Sequence, residues 1–216
     1  MPKKVIHATF LAAALAIGAM TGAAQAETRS LIVAGGCFWC VESDFDHVAG
    51  VVGTTSGYAG GEMQNPTYRN HGRHREVVKI DYDSSVTDYK TLIEIFLRTV
   101  DPLDAGGQFC DRGRSYETAI HAATDAEKVV ALEAVNAASQ ALGQEVVIPV
   151  EGPVTFWRAE DYHQDYYLSQ ERQLTRFGYV TRAEAYKGYR KGCGRDARVR
   201  QIWGAEAYRG VDKPAT

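Results

Sequence analysis

One hexapeptide, Gly35-Gly36-Cys37-Phe38-Trp39-Cys40, constrains the chain more than any other stretch. An apolar run, Leu31-Ile32-Val33-Ala34, enters it, and Val41, Phe45 and Val48 follow it with the spacing of one helical face. The pattern predicts a strand, a tight glycine turn and a helix, with Cys37 near the helix N-terminus. Unpaired N–H groups and the positive end of the helix dipole favour an anion there. A thiol so placed should lose its proton more readily, and the thiolate is the reactive form. Two adjacent large aromatics make a better pocket wall than surface loop. A buried structural cysteine in a tight turn fits the same residues, so the remainder of the chain has to decide.

The N-terminus reads as a leader. Lys3 and Lys4 form a basic start, Phe10 to Met20 is an apolar core, and Ala24-Gln25-Ala26 is a small-residue cleavage site. The apolar core is too short and too rich in Ala and Gly for a membrane span. The expectation is a signal peptide over 1–26, cleaved after Ala26, and a periplasmic or secreted protein with no stable membrane insertion. Residues 27–216 then form a single domain. Loss of Lys3 and Lys4 takes the formal charge from -3 to -5, which argues against nucleic acid as a partner. Basic residues gather between Arg172 and Arg200, a run expected to be a solvated face.

Further along, Val51 to Thr55 is β-prone and runs into a turn-rich segment, Ser56 to Gly61. A long polar loop, Glu62 to Arg75, carries Tyr68; loops of that length are usually functional or disordered. Glu76 to Tyr82 is a period-2 strand in which Glu76 is in phase with Val78, Ile80 and Tyr82. It is either a surface residue at a frayed end or a desolvated acid with a raised pKa. Asp88 offers an N-cap to a helix with an apolar stripe from Leu92 to Val100. Tyr116 to Ile120 alternates as a short strand, and Thr124-Asp125-Ala126-Glu127 opens a long helix ending near Gly143. Glu145 to Val150 reads as another strand. The order from Leu31 to Ile120 is strand, helix, strand, strand, helix, strand: an α+β, ferredoxin-like two-layer sandwich with a βαββαβ core and long loops. The glycine-punctuated segment 186–216 is expected to be a flexible C-terminal tail.

Six motifs carry a resemblance to a known family: Gly35-Gly36-Cys37-Phe38-Trp39, Gly57-Tyr58-Ala59-Gly60-Gly61, Asn65-Pro66-Thr67-Tyr68, His74-Arg75-Glu76-Val77-Val78, Asp111-Arg112-Gly113-Arg114-Ser115-Tyr116 and Ala159-Glu160-Asp161-Tyr162-His163-Gln164. In this order the chain, from Leu31 to about Tyr167, resembles the A-type peptide-methionine sulfoxide reductases, which reduce the S epimer of methionine sulfoxide. The resemblance implies Cys37 as nucleophile and Glu76 as general acid. Tyr68, Tyr116 and Asp111 complete the catalytic set, and Phe38 and Trp39 receive the substrate's methyl group. A sulfoxide oxygen leaves only once protonated, so a thiolate and a neutral carboxyl acting together suit the reaction. The cysteine would pass through a sulfenic acid to a disulfide. The resemblance further implies oxidised proteins and free methionine sulfoxide as substrates, no metal or organic cofactor, and an external thioredoxin-like thiol as reductant.

The chain departs from the family's pattern in its other cysteines. Cys193, flanked by glycines that lend reach, is the first candidate to resolve the sulfenic acid; Cys40, one helical turn on, is the second, and Cys110 the third. Two sequential steps could use more than one of them. A thiol–disulfide oxidoreductase using Cys37 and Cys40 is the alternative reading. A zinc site made from all four cysteines is disfavoured, because structural zinc sites usually supply two close pairs and here there is one. His163 reads as a hydrogen-bonded structural residue.

Overall fold

A computed structural model describes residues 27–212, so the leader expected over 1–26 and the last residues of the expected tail lie outside the described residues. β1 (Thr28–Ala34) leads into α1 (Phe38–Phe45), followed by β2 (Val51–Ala59), β3 (Arg75–Asp83) and α2 (Tyr89–Leu97). Two short strands, β4 (Gly107–Gln108) and β5 (Asp111–Arg112), precede β6 (Ala119–His121), α3 (Asp125–Leu142), β7 (Val150–Glu151) and β8 (Trp157–Arg158). A hairpin, β9 (Arg172–Thr175) and β10 (Gly178–Thr181), then leads to α4 (Arg182–Gly192) and α5 (Arg195–Trp203).

Six strands form one mixed sheet in the order β7-β6-β1-β3-β2-β8. Its pairings are antiparallel except β6 with β7, which is parallel. Alternation divides the strands between two faces. Leu31 and Val33 of β1 and Val78, Ile80 and Tyr82 of β3 join Phe45, Phe96, Ile93 and Ala131 from α1, α2 and α3 in the main core. On the other face Ala34, Ala59, Val77 and Ala119 form a thinner layer under Val154 and Phe156. The fold is therefore a mixed α/β one.

The helix signals act as expected. Asp88 caps α2 by accepting the Thr91 N–H at 2.8 Å, and Thr124 caps α3 by accepting the Glu127 N–H at 3.2 Å. Gly143 closes α3 in the left-handed conformation, φ 63°. Three local expectations change. The Ser56 to Ala59 stretch is strand, because Gly57 lets the Phe156 ring lie against the backbone where a Cβ would sit 2.5 Å from it. Tyr116 ends a 3-10 turn (Arg114–Tyr116) instead of starting β6. The stretch from Glu145 is largely irregular, since Val150 and Glu151 alone enter the sheet.

The C-terminal segment is the largest correction. The expected flexible tail from Tyr186 is instead two helices packed on the body, with Tyr186, Arg190, Arg195 and Val199 buried. A complete capping box, Thr181 with Glu184, opens α4. The basic run is likewise not one solvated face. Arg190 Nη1 lies 2.8 Å from the fully buried Asp44 and Arg190 Nη2 lies 2.7 Å from Asp196. Buried cations require such partners.

Candidate active site

Cys37 sits where the sequence places it, as the N-cap of α1, directly after a glycine turn. Gly36 holds φ +79°, and a Cβ there would lie 2.5 Å from Gln108 Cβ, so the turn needs glycine twice over. The next residue's N–H, that of Phe38, donates to Glu76 Oε2 at 3.0 Å. That bond ties the first turn of α1 to β3 and leaves the other carboxyl oxygen to carry a proton.

Of the two readings open for Glu76, the structure selects the desolvated acid. The side chain is 2 % exposed. Burial pushes its pKa up to about 8, against the Phe38 N–H, which favours the charged form; nearby Asp111 adds to the rise. A single cavity of about 50 Å³ is lined by Cys37, Phe38, Trp39, Tyr68, Glu76, Asp111, Tyr116 and Tyr189. Every expected catalytic and substrate-binding side chain is thus brought together, from α1, β3, β5 and two loops. Burial first, then the charge of Glu76, raises the Tyr68 phenol to about 12 and the Tyr116 phenol further. Both are therefore hydrogen-bond donors at neutral pH.

The aromatic walls are cross-braced. Trp39 Nε1 donates to His163 Nδ1 at 3.1 Å, and Trp39 stacks on Tyr166 with ring centroids 3.8 Å apart. Burial lowers His163 to about 4, so it is neutral and free to accept that bond. Glu160 accepts the Tyr68 N–H at 3.0 Å and the Tyr58 hydroxyl at 3.1 Å, fixing the loop that carries Tyr68.

The thiols differ from the simple helix-dipole expectation. Burial, the hydrogen bond with Cys40 and the neighbouring carboxyls Glu76 and Asp111 push Cys37 well up. Burial also acts on Cys40, but the hydrogen bond from Cys37 and the guanidiniums of Arg195 and Arg190 outweigh it and bring Cys40 down to about 7. The two shifts run in opposite directions, upward for Cys37 and downward for Cys40, so Cys40, the more readily deprotonated thiol of the pair, is the one better placed to take up a proton. Cys193 is not a free thiol facing Cys37: it is bonded to Cys110, with their Cα atoms 5.1 Å apart. With two of the four sulfurs bonded to each other, the residues do not form a four-thiol metal site.

Tyr189 is a site residue that the sequence reading missed. It lines the cavity from α4, donates to Asp111 and meets Trp39 edge-on at 6.3 Å. The available signal was the capping box Thr181-Arg182-Ala183-Glu184, which marks the start of the helix carrying Tyr189. Glu160 lies within the motif Ala159 to Gln164 and Tyr166 two residues beyond it, and neither was assigned a role by sequence.

A buried thiol pair, a neutral carboxyl and phenolic donors around a small aromatic cavity define a thiol-dependent reductase of a small polar group. The peptide methionine sulfoxide reductase profile matches residues 29–193. The chain is 48% identical over 191 residues to the peptide methionine sulfoxide reductase MsrA 2 of Rhizobium meliloti, covering 88% of this chain and 90% of the relative. It is 41% identical to MsrA 2 of Caulobacter vibrioides, covering 89% and 95% of the two. Among solved structures, methionine sulfoxide reductase A of Corynebacterium diphtheriae superposes with a TM-score of 0.60 at 29% identity, covering 64% of this chain and 73% of that one. The chain belongs to the peptide methionine sulfoxide reductase family. Its activity is the cysteine-based reduction of methionine sulfoxide.

Proposed function

We propose that Cys37 attacks the sulfur of the S epimer of methionine sulfoxide while Glu76 protonates the departing oxygen. The observation that carries this is the shared cavity, in which a thiol and an acid held neutral face one small space. Tyr68 and Tyr116 donate to the sulfoxide oxygen as its charge develops, Asp111 orients the Tyr189 hydroxyl at the rim, and Phe38 and Trp39 enclose the methyl group. As the Cys37 sulfur bonds to the substrate sulfur, its proton passes to the Cys40 thiolate and the Glu76 proton passes to oxygen. The adduct, with the hydroxyl and the Cys37 sulfur both on the substrate sulfur, then collapses: the hydroxyl passes to the Cys37 sulfur as the S–S bond breaks, methionine leaves with an electron pair on its sulfur, and Cys37 is a sulfenic acid.

The direct resolving thiol in this reading is Cys40, because it is hydrogen-bonded to Cys37 while Cys193 is engaged with Cys110. Condensation of the Cys40 thiol with the Cys37 sulfenic acid forms the disulfide and releases water. An external thioredoxin-like dithiol restores the thiols by exchange. Its point of entry is Cys110, which is exposed, whereas Cys37 and Cys40 are buried. The Cys110–Cys193 pair then relays electrons inward.

The strand order β6-β1-β3-β2 with α1 and α2 in the connections supports a ferredoxin-like βαββαβ core. The basic start, apolar core and Ala24-Gln25-Ala26 site support export to the periplasm or beyond, with residues 27–216 as the mature single domain.

Turnover of the two sulfoxide epimers, with dithiothreitol as reductant, tests the reading. The S epimer alone should be reduced. Cys37→Ser should abolish turnover, and Glu76→Gln should lower kcat by roughly 10²–10⁴-fold, the range of general acid catalysis. Undiminished activity in Cys37→Ser would remove the nucleophile assignment.

A further inference from the structure

The cavity at Cys37 is small. At about 50 Å³ it has room for about four water-sized positions, enough for a sulfoxide oxygen and a methyl group. The remainder of a polypeptide substrate has to lie outside it. Next to it is a second, larger recess of about 340 Å³, which shares the walls Trp39, Asp111 and Tyr189 with the first. Its far side is built by the turn of the β9–β10 hairpin, through Thr175, Arg176 and Phe177, and by Ala185 of α4, and Cys110, the exposed member of the disulfide, lies on its edge.

Ala185 is buried, but the hairpin end of that side is open. Phe177 is 42% exposed, and its ring lies against α4 at Gly188, where an added Cβ would come within 3.1 Å of it. Arg176 covers the Phe177 ring at 4.8 Å and the Tyr189 ring at 6.0 Å. Tyr166, behind Trp39, accepts a hydrogen bond from Gln173 of β9, which fixes the hairpin to the wall of the catalytic cavity. The recess is therefore a partly aromatic shelf that lies directly against the walls of the catalytic cavity.

We infer that this recess is the subsite for the residue adjacent to methionine sulfoxide in an oxidised polypeptide, and that it selects a large apolar or aromatic neighbour. The inference rests on the proposed reading of the Cys37 cavity. Three features support the polypeptide as occupant. The recess adjoins the cavity across the shared walls Trp39, Asp111 and Tyr189, its volume of about 340 Å³ admits a large side chain, and Phe177, Trp39 and Tyr166 in its lining pair well with an aromatic group, beside the polar Thr175, Arg176 and Asp111. Free methionine sulfoxide leaves the shelf empty.

The test compares kcat/KM for three substrates in the full-length enzyme with dithiothreitol: free methionine sulfoxide, a peptide with Phe beside the methionine sulfoxide, and the same peptide with Gly there. The wild type should prefer the Phe peptide to the Gly peptide by about tenfold, the factor set by about 1.4 kcal/mol. Phe177→Ser and Ala185→Phe, the second filling the recess, should each remove that preference and leave turnover of free methionine sulfoxide within twofold. Equal kcat/KM for the two peptides in the wild type overturns the inference without reference to any variant. So does a variant that loses peptide and free substrate in parallel. If Phe177→Ser lost activity only when a protein dithiol replaced dithiothreitol, the recess would belong to the reductant and the inference would fall. Absence of turnover on all three substrates in the wild type would instead refute the proposed chemistry at Cys37.

Discussion

Glu76 makes the reaction pH-dependent in a defined direction. Burial raises its pKa to about 8, so the carboxyl is mostly protonated at pH 7 and loses its proton as pH rises through that value. An acid that must deliver a proton works below its pKa, so above about pH 8 kcat/KM for methionine sulfoxide should fall about tenfold per unit. Glu76→Gln should be slow throughout and lack that descending limb; the pH–rate profiles of the two proteins check this directly. A limb that persists in Glu76→Gln would place the titrating group elsewhere. The residue was legible beforehand only as a choice. Its phase with Val78, Ile80 and Tyr82 predicted the core face, but β-alternation cannot say whether a strand end is covered. Part of the cover comes from Phe38, 38 residues away in sequence.

At the scale of elements, the strands and helices that build the sheet layer declared themselves by period, caps and glycines. The two helices that close the molecule did not. α4 and α5 are rich in Arg, Lys and Gly, and they bury Arg190 and Arg195 among a few apolar residues, Tyr186, Val199 and Trp203, so the usual signal for a packed helix is weak. Arg190 is the central contact: it reaches Asp44 of α1 at 2.8 Å, the Tyr186 hydroxyl at 2.9 Å and Asp196 at 2.7 Å, and is 2 % exposed. Replacing it by Met removes one member of a buried network and leaves Asp44 with Arg195, whose Nε is 3.9 Å away. Loss of one partner of a buried pair costs about 3–5 kcal/mol. Arg190→Met should therefore lower stability by that order in urea unfolding, and adding Asp44→Asn should restore part of the loss. Additive losses in the double variant would indicate that the pair is not coupled.

Across the whole molecule, the Cys110–Cys193 bond joins positions 83 residues apart and fastens the end of α4 beside Asp111, with Tyr189 at the cavity wall. No local pattern could have given this pairing, because the sequence contains no statement of which remote singles meet. It required α4 to fold back across the β4–β5 segment. Bonding residues so far apart restricts the unfolded chain, and a loop of that length corresponds to a ceiling of about 4–5 kcal/mol. The oxidised enzyme should accordingly unfold at higher denaturant than the enzyme treated with dithiothreitol. Cys193→Ser should match the reduced wild type and show no further shift on reduction. Since Cys37 and Cys40 are adjacent in the same turn, a bond between them closes a very short loop and adds little to that difference. The urea midpoint thus reports the state of the Cys110–Cys193 pair separately from that of the catalytic pair. If Cys193→Ser retained the full shift with dithiothreitol, the stabilising bond would have to lie elsewhere.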